Sequence, residues 1–168
     1  MIKAVFFDRD GVLIEDKGYV YKTKDLQWKT GAIRAIKYLN SKKILVIIIT
    51  NQSGIGRGFY QKKDVKLFHD YMSDVLKKDD AWIDEFYFSP YYKNSKNFNS
   101  YYYYRLRKPN VGMLKKAQSK FSLKKKEILM IGDKKTDHQA ANKFGIKFSY
   151  KSKSSLFTQV IKLTKFIG

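Results

Sequence analysis

Ile2-Lys3-Ala4-Val5-Phe6-Phe7-Asp8-Arg9-Asp10-Gly11 is the stretch on which the reading of this chain turns. An apolar run from Ile2 to Phe7 passes straight into two carboxylates at i and i+2, then a glycine. A short run without polar alternation suits a strand buried on both faces, as parallel sheets require. Gly11 allows the sharp turn that ends it. The stretch therefore predicts a buried parallel strand that delivers Asp8 and Asp10 to its carboxyl end, where open α/β sheets bind ligands.

The same arrangement recurs along the chain. Lys43 to Ile49 reads as a second buried strand, running into Thr50-Asn51-Gln52-Ser53-Gly54-Ile55-Gly56. Glu127 to Ile131 reads as another, running into Gly132-Asp133-Lys134 with Asp137 beyond. Ile83 to Phe88 and Ile146 to Tyr150 complete the strands. Between them, Thr30–Lys42, Gln61–Lys78, Asn110–Phe121, Thr136–Phe144 and Ser154–Phe166 read as helices. In the first of these, Ile33, Ile36 and Leu39 share a face; in the second, Val65, Phe68, Met72 and Val75 do so. Strands alternating with helices predict an α/β fold, a parallel sheet with helices on both faces and right-handed connections. No repeat and no second domain is visible. Ser89 to Arg107 breaks the alternation: it reads as a long loop, rich in Asn and Ser, with Tyr101 to Tyr104 in a row.

Adjacent strand ends would gather Asp8, Asp10, Thr50 and Asp133 at one rim. Carboxylates that close repel, and a hard divalent cation held by oxygen relieves the repulsion. Such a cation is half of a phosphate site, with Lys108 and backbone N–H groups as the other half. Asp-Gly or Gly-Asp after a strand is ordinary turn chemistry when it stands alone. Their joint placement at three strand ends, in order, points to a site.

Composition bounds the rest. The 168 residues fit one domain with a real core, and 43% hydrophobic residues exclude disorder. The longest apolar run, Ile44 to Ile49, is far too short to span a bilayer, and no signal peptide is visible, so a cytoplasmic location is expected. There is no Cys, which excludes disulfides, thiolate metal sites and a Cys nucleophile. The net charge of +20 raises polyanions as partners. But Arg9, Arg34, Arg57, Arg105 and Arg107 are the only arginines among 35 basic residues, and the lysines are spread along the whole chain. Nucleic-acid readers lean on Arg for bidentate contacts, so nucleic acid is not the expected main partner.

Asp8-Arg9-Asp10-Gly11, Thr50-Asn51-Gln52-Ser53-Gly54, Arg107-Lys108-Pro109 and Gly132-Asp133-Lys134-Lys135-Thr136-Asp137 together resemble the four motifs of the haloacid dehalogenase superfamily. Asp16-Lys17-Gly18-Tyr19-Val20, the run from Thr50 to Gly58 and Arg107-Lys108-Pro109-Asn110-Val111-Gly112-Met113-Leu114 are similar to the heptose 1,7-bisphosphate phosphatase branch, whose near relatives are histidinol-phosphate phosphatases. The resemblance covers Ile2 to about Tyr150.

It implies a Rossmann-like doubly wound sheet without a large cap domain, and one hydrolase domain over residues 1–168 in which 89–107 is a specificity loop. It implies Mg²⁺-dependent removal of the C7 phosphate of D-glycero-D-manno-heptose 1,7-bisphosphate, within nucleotide-activated heptose synthesis for lipopolysaccharide or capsule. Asp8 would be the nucleophile that becomes an aspartyl-phosphate, and Asp10 the acid and then the base. Asp8, Asp10 through its carbonyl, and Asp133 would hold Mg²⁺, with Lys134 beside them contributing a contact. Thr50 and Lys108 would stabilise the transferring phosphoryl group. Arg107, with Asp16, Lys17, Gly18, Tyr19, Asn51, Gln52 and Ser53, would bind the sugar phosphate. Asp137 would orient Lys108 or stand behind the metal; equally it is a first-turn helix acid. A monomer is expected. The rival readings are histidinol-phosphate phosphatase and a nucleic-acid 3′-phosphatase or binding protein, for which the tyrosine run would stack bases.

The chain departs from the branch in one loop. Members often carry a structural zinc site of three Cys and a His before Arg-Lys-Pro; Ser89, Tyr91, Tyr104 and Leu106 stand there instead. No zinc is expected, and Tyr91, Tyr92 and Tyr101 to Tyr104 are expected to pack in its place or leave the loop mobile. His69, His138, Trp28 and Trp82 read as structural residues, and Lys124 to Lys126 as a solvated turn.

Overall fold

The structure, a computed structural model, describes residues 1–165. Its centre is a five-stranded parallel sheet in the order β3-β2-β1-β4-β5. The strands are β1 (Ala4–Phe7), β2 (Leu45–Asn51), β3 (Glu85–Ser89), β4 (Ile128–Gly132) and β5 (Lys147–Tyr150). The chain builds outward from β1 through β2 to β3, then returns to the other side of β1 for β4 and β5. The switch lies between β1 and β4, with Phe7 in register with both Ile48 and Ile131. A crevice opens at the carboxyl ends where the order reverses.

The pleat divides β1 between two cores. Val5 and Phe7 face one core with Val46, Ile48, Leu129 and Ile131. It is covered by α1 (Ala32–Ser41), α2 (Lys62–Lys77) and α6 (Leu156–Lys165), through Ile36, Leu39, Phe68, Met72, Leu156 and Val160. Ala4 and Phe6 face the other core with Ile47, Ile49, Ile128 and Met130, under α4 (Gly112–Lys120) and α5 (Lys135–Phe144). Full burial of the three central strands explains their unbroken apolar sequence. The edge strands β3 and β5 are half-exposed along most of their length and carry polar residues.

The strands and long helices fall where the sequence places them, with ends shifted by at most two residues. The segment 89–107 differs. Tyr101–Leu106 forms a short helix, α3, where a loop was expected. Leu106 is buried and Tyr103 packs against the α4–α5 core, so contacts rather than intrinsic preference hold this turn helical. Tyr91 meets Tyr104 edge-to-face at 5.4 Å, and Ser89 Oγ lies 3.3 Å from the Tyr103 carbonyl. Tyr91 and Tyr104 therefore pack against each other within this segment. Residues 166–168, and with them the predicted end of the last helix at Phe166, lie outside the described residues.

Candidate active site

Three chain segments meet at the carboxyl end of β1. Asp8 follows the strand directly, its N–H donating to the Ile131 carbonyl of β4 at 3.0 Å. Lys108 arrives from the loop after α3, its ammonium completely buried. That ammonium lies 3.0 Å from Asp8 Oδ1 and 2.7 Å from Asp137 Oδ1, and donates to the Ile49 carbonyl at 2.7 Å. Asp137, in the first turn of α5, accepts the N–H groups of Asp133 and Lys134 on Oδ2 at 3.1 and 3.0 Å. Asp137 thus caps α5 and pairs with Lys108 at once, combining two of the readings left open for it.

Gly11 and Gly132 let these groups approach. Gly11 has φ +84°, and a Cβ there would sit 2.1 Å from Asp133 Oδ2. At Gly132 a Cβ would fall 2.4 Å from the Asp137 Cβ. Both glycines are needed for closeness, and Gly11 also for its left-handed backbone.

Oxygens of Asp8, Asp133 and Asp137 lie within 4.8 Å of one another. Asp137 gives Oδ1 to the Lys108 ammonium and Oδ2 to two backbone N–H groups, which leaves Asp8 and Asp133 as the readier hard oxygen donors. Burial pushes the Asp8 carboxyl up to about 7; Lys108 opposes this, while Asp137 and Asp10 add to it. Burial likewise raises Asp133. For Lys108, burial alone would lower the value, but Asp8 and Asp137 outweigh it and hold it raised. Such a cluster has an excess of negative charge that a bound divalent cation would relieve, and its donor set fits Mg²⁺. Lys134 stands beside it: its N–H is given to Asp137 and its ammonium to Asp16 Oδ2 at 2.9 Å. An ammonium has no lone pair to offer a cation, so a metal contact from Lys134 would run through its backbone carbonyl, while its side chain stands in the cavity wall.

Beyond the cluster lies an open cavity of about 530 Å³. Asp16, Gly18, Tyr19, Asn51, Gln52, Ser53 and Arg107, the expected substrate residues, line it together with Asp10 and Lys134. Lys17 is exposed and is not among the lining residues. Tyr60, Lys135 and Thr136 line it as well and were not foreseen. Lys135 and Thr136 stood inside a quoted motif, whereas nothing in the sequence distinguished Tyr60. Its hydroxyl donates to Gln52 Oε1 at 2.8 Å, and Gly54 has no Cβ to block its ring.

Two expected sugar contacts have internal duties too. Asn51 clamps Lys108 through paired bonds, Nδ2 to the Lys108 carbonyl at 3.1 Å and the Lys108 N–H to Oδ1 at 3.0 Å. Gln52 Nε2 donates to Asp10 Oδ2 at 2.9 Å and to Thr50 Oγ1 at 3.0 Å. Thr50 is buried at the end of β2, beside the cluster. Arg107 is half-buried, its Nη1 3.4 Å from the Tyr91 carbonyl; burial and the nearby charge of Arg57 lower its pKa. A guanidinium so placed favours an anionic ligand.

The family model for polynucleotide kinase 3 phosphatase matches residues 3–163. A D-glycero-alpha-D-manno-heptose-1,7-bisphosphate 7-phosphatase of Campylobacter jejuni is 40% identical over 138 residues, covering 82% of this chain and 75% of the relative. A D-glycero-beta-D-manno-heptose-1,7-bisphosphate 7-phosphatase of Haemophilus ducreyi is 35% identical over 148 residues, covering 86% and 80%. Among solved structures, D,D-heptose 1,7-bisphosphate phosphatase from B. bronchiseptica, complexed with magnesium and phosphate, superposes with a TM-score of 0.79. It is 21% identical, covers 98% of this chain and 99% of its own, and shows the shared fold.

Proposed function

Because the chain belongs to the polynucleotide kinase 3 phosphatase family, we propose that it is a phosphoric monoester hydrolase that removes the C7 phosphate of D-glycero-D-manno-heptose 1,7-bisphosphate. The observation that carries this is the buried Lys108, gripped by Asp8 and Asp137 beside Asp133, next to a cavity lined by Asp10, Arg107 and Lys134. The relatives' names supply the sugar; the geometry supports the chemistry.

Asp8, Asp133 and the Asp10 carbonyl would hold Mg²⁺, which when bound supplies positive charge against the phosphoryl oxygens. Lys108, backed by Asp137, holds a fixed positive charge beside Asp8 and offers it to the same oxygens, with the Thr50 hydroxyl as a further donor. A carboxylate oxygen of Asp8 attacks phosphorus in line; the bond to the C7 oxygen breaks, and the Asp10 proton passes to that oxygen. Water then attacks phosphorus of the aspartyl-phosphate. Asp10, now a carboxylate, takes the water proton, and the bond from phosphorus to Asp8 breaks, releasing phosphate and the Asp8 carboxylate. Arg107 and Lys134 hold the phosphate that is not transferred, and the segment 89–107 shapes the pocket. No zinc is needed in that segment, where aromatic packing takes over the bracing. Among the described residues no helix is long and apolar enough to cross a membrane, and we read the protein as a cytoplasmic monomer.

The test is phosphate release with and without Mg²⁺ from both C1 anomers of the bisphosphate, beside histidinol phosphate and a 3′-phosphorylated oligonucleotide. Preferred Mg²⁺-dependent turnover of a heptose bisphosphate is expected. Turnover of histidinol phosphate or the oligonucleotide alone would replace the substrate, and release from none would overturn the reading.

A further inference from the structure

Arg9, between the two site carboxylates, is wholly buried. Its Nε donates to Asp10 Oδ1 at 3.0 Å and its Nη2 to Asp10 Oδ2 at 3.1 Å, a two-point grip on the carboxylate. Nη2 also donates to the Val20 carbonyl at 2.6 Å, tying the grip to the loop that carries Asp16 to Tyr19. Nη1 lies 3.2 Å from Nε2 of His69, and the guanidinium carbon stands 4.9 Å from the centre of the Phe68 ring. His69 is itself buried and stacks on Phe86 at 4.3 Å. Burial and the charge of Arg9 keep its pKa well below the usual imidazole value. A neutral ring facing a guanidinium presents a bare nitrogen, so Nε2 accepts and the proton sits on Nδ1.

A structural role alone would explain a buried arginine, but not this distribution of bonds. Asp10 Oδ2 accepts from both Arg9 Nη2 and Gln52 Nε2, which fills its lone pairs. Among the described residues Oδ1 accepts only from Arg9 Nε and keeps one lone pair open. We propose that Arg9, backed by His69, is a positioning residue for the acid–base step, holding Asp10 so that Oδ1 is the oxygen that gives and takes the proton. This rests on the phosphatase reading. The balance is unchanged: the Oδ1 proton goes to the leaving oxygen, and Oδ1 later receives one from water. A lysine cannot reproduce the planar fork, and a residue without an acceptor at position 69 leaves Nη1 without its partner and loosens the grip.

The experiment compares Arg9→Lys, Arg9→Met, His69→Phe, His69→Gln and Asp10→Asn on the heptose bisphosphate and on p-nitrophenyl phosphate. The sugar alkoxide needs a proton to leave, whereas the nitrophenolate does not. For Arg9→Lys, kcat on the sugar phosphate is expected to fall at least about tenfold while KM moves less than about threefold. On the aryl ester a rapid burst of nitrophenolate should survive, followed by slow turnover, because breakdown of the intermediate still needs Asp10. Arg9→Lys/Asp10→Asn should lose little beyond Asp10→Asn alone. His69→Gln, which keeps an acceptor, should retain more activity than His69→Phe, which keeps only the stacking. An unchanged kcat in Arg9→Lys, equal losses in sugar turnover and in the nitrophenolate burst, or His69→Gln no better than His69→Phe would overturn the proposal. If Arg9→Met does not fold, the His69 pair still decides. Wild-type protein inactive on every ester would instead overturn the phosphatase reading.

Discussion

Asp137 Oδ1 stands 2.7 Å from Nζ of Lys108, both side chains fully buried. The contact joins the start of α5 to a loop about thirty residues upstream, so one carboxylate fixes a helix cap and the direction of a buried charge. Apart from that ammonium, Oδ1 has no hydrogen-bond partner of ordinary geometry among the described residues. Asp137→Asn removes the charge while keeping an acceptor for the cap. Lys108 would retain Asp8 and the Ile49 carbonyl, so the lower part of the range for a broken buried pair applies, about 3 kcal/mol. A fall of roughly 6–12 °C in the thermal midpoint is expected, with kcat reduced at least about tenfold. Calorimetry and steady-state kinetics check both; a variant with the parent's midpoint and rate would show that the contact does neither job.

Asp8 gives a pH-dependent prediction. Its native carboxyl is raised to about 7 from 3.8, chiefly by burial. The folded state therefore keeps a proton that the unfolded chain has already released. Between 3.8 and about 7 the metal-free protein should lose stability as pH rises, because folding must carry an ionised carboxylate into a site that disfavours it. Asp8→Asn has no such charge to bury. In chelator at pH 8 the variant should melt several degrees above wild type, and the gap should close toward pH 4. Saturating Mg²⁺ should narrow or reverse it, since the amide is a poorer ligand. The same variant should not turn over substrate, because an amide cannot form the acyl-phosphate. A variant less stable than wild type at pH 8 without metal would contradict the assignment of the strain to Asp8.

Gly11→Ala tests the close approach of the loops after β1 and β4. The new Cβ would collide with Asp133 Oδ2 at 2.1 Å, and φ +84° is unfavourable for alanine. Asp133 would have to withdraw from Asp8. Mg²⁺ affinity, measured by isothermal titration, should fall roughly 10–100-fold, the usual loss when a ligand's support is disturbed. Unchanged affinity would mean that Asp133 does not hold the metal.

How much of this was legible in the sequence depends on whether a residue acts through its own strand or through a distant partner. Asp8 and Asp133 follow buried strands directly and Thr50 lies at the end of one, so an apolar run and the next polar residue were enough to place them at one rim. Lys108 and Arg107 needed the motif resemblance, because their loop has no strand before it. The duties of Gln52 toward Asp10, of Asn51 toward Lys108, and of His69 toward Arg9 were hidden, since each depends on a side-chain meeting across 40 residues or more. The helix Tyr101–Leu106 was missed because a run of tyrosines has no helical preference of its own, and its packing on the α4–α5 core decides.

The same aromatic packing yields a prediction for the segment 89–107. The Tyr91–Tyr104 edge contact and the Ser89 hydroxyl stand at positions where the resemblance to the branch would imply zinc ligands. Purified protein should contain substoichiometric zinc by elemental analysis, and chelation of zinc alone should leave its melting unchanged.
Tyr104→Ala should loosen the loop through loss of the ring contact, worth about 0.5–1.5 kcal/mol beyond area burial.
Because Arg107 reaches the Tyr91 carbonyl in this loop, KM for the bisphosphate should rise while kcat changes little. Limited proteolysis should cut the variant between residues 91 and 104 sooner than wild type. Stoichiometric zinc, or a Tyr104→Ala protein with an unaltered KM and cleavage pattern, would show that the tyrosines do not brace the substrate loop.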